Sequence, residues 1–123
     1  MLSSAHRLTD GASFREAVRT GRRSGSRTVV VHLATEPSPG RPARVGFVVS
    51  KAVGNAVTRN RVKRRLRHLA REHVSSLPGS AVLVIRALPA AATASAAELR
   101  GDLARCLRRA LAQLDGADPE VSA

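Results

Sequence analysis

The sequence holds no tryptophan, no tyrosine and only two phenylalanines in 123 residues, which excludes a nucleic-acid platform built from ranks of stacked aromatics. A single cysteine, Cys106, excludes an intramolecular disulfide and a multi-cysteine metal site. No apolar run reaches the roughly 18 residues of a membrane span, and Met1 to Asp10 lacks a signal peptide's apolar stretch. The expectation is a cytoplasmic protein with no membrane partner. Acids are also scarce. The nine (Asp10, Glu16, Glu36, Glu72, Glu98, Asp102, Asp115, Asp118 and Glu120) are scattered, whereas metal-dependent nuclease chemistry needs carboxylates converging on divalent cations. No spacing pairs two histidines as acid and base either. No catalytic residue and no metal ligand is therefore assigned.

What the sequence does have is positive charge. The 21 Lys and Arg leave a formal net charge of +12, yet 43% of residues are hydrophobic, enough for a packed core despite the self-repulsion. At roughly 100–200 residues per domain the chain makes one domain, assigned to residues 1–115, with 116–123 (GADPEVSA) as a flexible tail. Residues 1–73 carry 16 basic and 4 acidic side chains, and residues 74–123 carry 5 of each. All the net charge thus belongs to the first part, and its centre is Arg59 to Arg71, where 7 of 13 residues are basic and none is acidic. Such an asymmetry points to one face for a polyanion beside a neutral structural remainder.

Patterning predicts an α+β fold, a small mixed sheet packed with helices in the order α-β-β-α-β-α. Asp10 caps a short helix, Ala12 to Thr20, that Gly21 stops. Thr28 to Ala34 and Arg44 to Ser50 read as strands, and the Pro/Gly-rich stretch Glu36 to Pro42 joins them as a surface hairpin loop, making them antiparallel neighbours. Arg22 to Gly25 reads as polar loop, with a short extra strand as the alternative. A long helix runs from Asn55 to His73 and ends at Leu77-Pro78-Gly79; the apolar run Ala81 to Ala87 marks an interior strand. Ser95 and Glu98 form a capping box for a last helix with the apolar stripe Leu99, Leu103, Cys106, Leu107, Ala110 and Leu114.

In the long helix Val62, Leu66 and Leu69 share one face, with His73 in line, and should bury against the sheet. The other side presents Asn60, Arg64, Arg67 and Arg71, with Arg61 and His68 beside them and Lys63 and Arg65 at the flanks. Solvated helices usually alternate charge signs, and like charges at helical spacing destabilise a helix that meets no polyanion. Just before it, Gly54 permits a tight turn and Asn55 can cap, so free amides there, with Lys51 and Arg59, suit a phosphate. A structural RNA-binding protein and a DNA-binding regulator share these features. The regulator is disfavoured by the few amide side chains for base reading and the lack of a short helix directly before.

The stretch Arg44 to Arg67, RVGFVVSKAVGNAVTRNRVKRRLR, resembles the signature of the bacterial ribonuclease P protein family, centred on Arg59-Asn60-Arg61. Arg7-Leu8, Phe14 and Gly21 resemble the family's opening, and Ile85-Arg86 with the last helix its end. The resemblance implies an α/β sandwich with a left-handed βαβ crossover. It also implies a protein subunit that binds a catalytic RNA and the 5′ leader of precursor tRNA, assisting endonucleolytic removal of that leader. The cleavage is carried by the RNA, so the protein is an enzyme subunit, not itself catalytic. No cofactor is expected on the protein alone, while Mg2+ is expected in the RNA-containing holoenzyme. Lys51, Gly54, Asn55, Arg59, Asn60, Arg61, Lys63, Arg64 and Arg67 would contact the RNA subunit. A cleft of Arg7, Phe14, Val18 and His32 would hold the leader. Many members carry aromatics where Val18 and His32 stand and a basic residue where Ala52 stands.

Other readings compete at single positions. Phe14 is a leader contact or ordinary core, and His32 is a cleft residue or an exposed strand residue. Phe47 and Cys106 read as core, His68 as helix surface and His73 as helix end.

Overall fold

The computed structural model describes residues 4–36 and 40–114. The expected tail at 116–123 and the middle of the Glu36–Pro42 loop lie outside the described residues. Helix α1 spans Gly11–Thr20, followed by strands β1 (Arg22–Gly25), β2 (Val29–Thr35) and β3 (Arg44–Val48), helix α2 (Ala56–Arg71), strand β4 (Ala81–Ala87) and helix α3 (Ala96–Leu114).

The helix starts follow from their caps. Asp10 Oδ1 accepts the Ala12 amide at 3.0 Å and Oδ2 the Ser13 hydroxyl at 2.8 Å. At α2 the Asn55 side-chain oxygen accepts the Thr58 amide at 2.9 Å. Gly54 before it adopts φ +154°, where a Cβ would stand 3.0 Å from Thr58 Cγ2, so a side chain there would strain the backbone and crowd the cap. At α3 the capping box is reciprocal: Glu98 accepts the Ser95 amide at 3.2 Å, and Ser95 Oγ accepts the Glu98 amide at 3.1 Å.

The sheet has the order β1-β2-β4-β3, which corrects two expectations. Arg22–Gly25 is a strand, pairing antiparallel with β2 through Arg23↔His32 and Ser24↔Val31, so the element order is α-β-β-β-α-β-α. The expected antiparallel neighbours β2 and β3 are not adjacent, because β4 lies between them, antiparallel to β2 and parallel to β3. The reason is burial. Five residues running from Ala81 to Ile85 are each at most 1% exposed, and a strand apolar on both faces is driven to the middle of a sheet. The link from Thr35 to Arg44 easily reaches across one strand, since two strand spacings are only about 10 Å.

Alternation divides the core. Val29, Val31 and Leu33 of β2, Leu83 and Ile85 of β4 and Val45 of β3 meet Val62, Leu66 and Leu69 of α2 and Leu99, Leu103, Cys106 and Leu107 of α3. Each fully buried Leu or Val contributes about 1.5–3 kcal/mol relative to exposure. Val82 and Val84 face the other way and pack with Leu8 and Ala17, and the half-buried Phe14, Val18, Ala34 and Val48 lean on them. One face of the sheet is therefore covered by two helices and the other by the short α1. Asp102 sits in the larger layer, 7% exposed, and accepts hydrogen bonds from the amide and hydroxyl of Thr28 and from Arg105.

Candidate nucleic-acid interface

Burying Val62, Leu66 and Leu69 orients the rest of α2. Lys51, Asn55, Asn60, Arg64, Arg67, His68 and Arg71 are exposed, while Arg59, Arg61, Lys63 and Arg65 are half-buried. The first turn of the helix holds no acid, so its amide end and the cations beside it form one positive surface.

Each of the six described carboxylates is engaged by a partner outside α2. Asp10 caps α1. Glu16 pairs with Arg19, Glu36 with Arg41 and Arg44, Glu72 with Arg100, Glu98 with Arg27, and Asp102 with Arg105. Three of them titrate below the ordinary carboxylate range. A hydrogen bond from Ser13 does this for Asp10 and, with Arg44 and Arg41, for Glu36; the Ser95 amide, with Arg27, does it for Glu98. Among the described residues no carboxylate pairs with any of the seven cations of α2.

Not all those cations are equally available. Arg61 Nη2 donates to the Ala92 carbonyl at 3.0 Å and Arg65 Nη1 to the Ala94 carbonyl at 3.4 Å. The two side chains thus tie α2 to the segment leading into α3. The Nε atoms of Arg59 and Arg61 are buried without a partner among the described residues.

The expected leader residues separate. Arg7 and Phe14 join Lys63 and Arg67 in a groove of about 290 Å³ that wraps the outer edge of β3 and is also lined by Phe47. Both phenylalanines of the chain thus flank one groove, from opposite faces of the sheet. Gly46 makes this approach possible, because a Cβ there would stand 2.6 Å from Phe14 Cε2. The edge is tied down where the Leu8 amide donates to the Val45 carbonyl at 2.9 Å. Phe47, expected in the core, packs against it only in part.

Val18 and His32 lie outside that groove. Val18 packs on the small apolar layer under α1, and His32 is 6% exposed, so the exposed-strand reading of His32 is corrected. Its partner in β1 is Arg23 and in β4 is Val84. Burial, then Arg86 and Arg23, hold the imidazole below its ordinary pKa, so it favours the neutral form. Sequence reasoning missed Arg23 and Arg86 here and Arg100 beside α2. Arg86 shares its strand face with Val84 by simple alternation, a legible signal; Arg23 needed the β1–β2 register.

The chain and its fold have counterparts among known proteins. Residues 2–111 match the family model described as Ribonuclease P. The chain is similar to the ribonuclease P protein component of a Nocardioides species, 74% identical over 94% of this chain and 100% of that one. It is 52% identical to that of Streptomyces avermitilis, over 90% and 96% of the two chains. The structure of the Staphylococcus aureus RNase P protein superposes with TM-score 0.75 at 25% identity, covering 89% of this chain and 96% of that one. The Thermotoga maritima RNase P protein, at 23% identity and TM-score 0.70 over 84% and 96% of the chains, shares the fold.

Proposed function

The chain belongs to the ribonuclease P protein family, the protein subunit of the enzyme that matures tRNA 5′ ends, and from that premise we propose that α2 and the turn before it bind the catalytic RNA. The observation that carries this reading is the segregation of charge: the six described carboxylates are spent on caps and on arginines outside α2, and among the described residues the seven cations of that helix have none. The repulsion among them is repaid when phosphates arrive. Lys51, Arg59, Lys63, Arg64 and Arg67 supply the charge, with Asn60 beside them. Gly54 and Asn55 shape the amide end of the helix, and Arg61 holds it against the Ala92 segment.

The α1 face of the sheet and the β3 edge groove take the 5′ leader of precursor tRNA. Phe14 offers a ring and Arg7 lines the same groove; Val18 and His32 lie outside it on the α1 face of the sheet, where Arg23 and Arg86 add charge. Cleavage belongs to the RNA. Among the described residues each carboxylate already holds a hydrogen bond or an arginine, and no group of three His, Cys, Asp or Glu could hold a metal ion. The described residues therefore do not fit a Mg2+ site, and we assign the Mg2+ of the holoenzyme to RNA. No described helix is long and apolar enough to cross a membrane, and a role on precursor tRNA is consistent with the cytoplasm.

The crossover from β3 through α2 to β4 fits the left-handed form. Val45 turns its side chain into the layer with α2 and its carbonyl to Leu8, away from β4. For an L-residue this sets β4 to the left of β3 viewed from α2, against the common right-handed rule.

The test is reconstitution: added to a bacterial ribonuclease P RNA at low Mg2+, the protein should strongly raise precursor-tRNA cleavage, and no change would sink the reading. If five cations each neutralise one phosphate, log affinity for the RNA should fall with log salt at a slope of about −3.5 to −4.5. A slope near −1 would mean that α2 is not the contact surface.

A further inference from the structure

Arg100 comes from the electrically neutral half of the sequence, yet α3 delivers it to the basic helix. It lines a cavity of about 270 Å³ with Arg64, Arg65, His68 and Leu69 of α2 and with Ala96, the first residue of α3. The floor is Leu69, 4% exposed, and the Ala96 methyl. The rim is three guanidiniums and an imidazole. Little neutralises them: Arg65 donates to the Ala94 carbonyl at 3.4 Å, and Glu72 meets Arg100 only at 3.4 Å, with the two side chains 46% and 57% exposed. Exposed pairs of this kind barely offset the charge.

An apolar hollow ringed by guanidiniums has two demands at once, a flat apolar surface inside and an anion at the rim. Guanidinium planes stack on π-faces and also fork onto phosphate oxygens. One unpaired nucleotide meets both demands within a single residue, a flat base and a phosphate, whereas a peptide needs an apolar and an acidic side chain together. We propose that the α2–α3 cavity takes a single unpaired nucleotide of the catalytic RNA, its base against Leu69 and Ala96 and its phosphate on Arg64 and Arg100. The RNA-binding surface then continues across α2 onto α3. The proposal rests on the reading that α2 binds this RNA, and the experiment separates the two.

Full-length protein and ribonuclease P RNA are titrated over a range of monovalent salt, comparing wild type with Arg100→Ala, Arg108→Ala, Ala96→Leu and Arg67→Ala. Arg108 is exposed on the same helix but does not line the cavity, so its variant matches the charge loss. Arg100→Ala should weaken binding several-fold and flatten the salt slope by about 0.7–0.9, the contribution of one phosphate. Ala96→Leu, which fills the hollow without changing charge, should weaken binding at an unchanged slope. Chemical probing should show an unpaired nucleotide protected by wild type and exposed by either variant. If Arg100→Ala matches Arg108→Ala while Arg67→Ala still weakens binding, the cavity is not a site and the α2 reading stands. If Arg67→Ala is also silent, the α2 reading falls as well. Arg100→Lys, which keeps the charge, should recover the slope, and unchanged melting temperatures should show that all variants fold.

Discussion

The ring of Phe14 rests directly over the backbone of Gly46, so closely that a single methyl group on Gly46 would come within 2.6 Å of Phe14 Cε2 and 3.0 Å of Leu8 Cδ2. The contact joins α1 to the outer strand of the sheet and fixes the width of the groove beside Lys63 and Arg67.

Gly46→Ala should therefore push Phe14 outwards. Overpacking of this kind costs about 1–3 kcal/mol, read as a lower urea midpoint at an unchanged denaturant slope. Binding of leader-containing precursor tRNA should weaken with it. A stability loss under about 0.5 kcal/mol, the range of a neutral surface change, would show that the ring moves freely and does not set the groove.

Arg61 and Arg64 are near neighbours on α2 with different work. Arg61 holds the Ala92 carbonyl at 3.0 Å, so Arg61→Ala should lose about 1–3 kcal/mol of stability through the lost bond and the carbonyl left behind. RNA affinity should fall with it. Arg64 is exposed and meets no carboxylate among the described residues, so Arg64→Ala should cost affinity and salt slope at an unchanged melting temperature. Equal thermal effects in the two variants would contradict this division.

His32 makes stability depend on pH in a defined window. Its imidazole is held below its ordinary pKa by burial and by Arg86 and Arg23, so between the folded value and about 6.5 the unfolded chain binds more protons. The stabilisation is complete above about pH 6.5 and is lost as pH falls below it. The lowered carboxylates Asp10, Glu36 and Glu98 add a loss only at lower pH, where they protonate. Chemical denaturation between about pH 7 and 5 should show a decline in wild type that His32→Gln flattens; an unchanged profile in the variant would show that another group is responsible.

Asp102 accepts from both the amide and the hydroxyl of Thr28, which is 0% exposed. Asp102→Ala strands two buried donors, at about 1–3 kcal/mol each. Thr28→Val removes one of them, so the double variant should be less destabilised than the sum of the singles. Strict additivity in the thermal melts would show that the two side chains do not interact.

What was legible in the sequence is what neighbours along the chain decide. Asp10, Asn55 and the Ser95–Glu98 pair announce three helices because a cap acts within four residues, and the Val62, Leu66 and Leu69 stripe orients α2 for the same reason. The resemblance in Arg44–Arg67 then carried the family. What the sequence hid depends on distant pairing. The insertion of β4 between β2 and β3 follows from competition for the buried centre, which no local turn signal records. The gathering of Phe14 and Phe47 at one groove and of Arg100 at α2 follows from that topology. So does Arg61, whose acceptor, Ala92, is 31 positions away and carries no side-chain signal at all.

The central position of β4 also bears on synthesis. Translated from the N-terminus, β2, β3 and the whole basic helix leave the ribosome before the strand that both sheet halves need, so the sheet cannot close until Ala87 has emerged. The fold is late-closing and dominated by non-local contacts, which slows folding. In that interval the nascent chain exposes the edges of β2 and β3 that β4 will fill, together with all of its excess positive charge, in the company of ribosomal RNA. The neutral C-terminal half is thus more than a scaffold. It ends the period in which an unfolded polycation could be captured by the wrong nucleic acid.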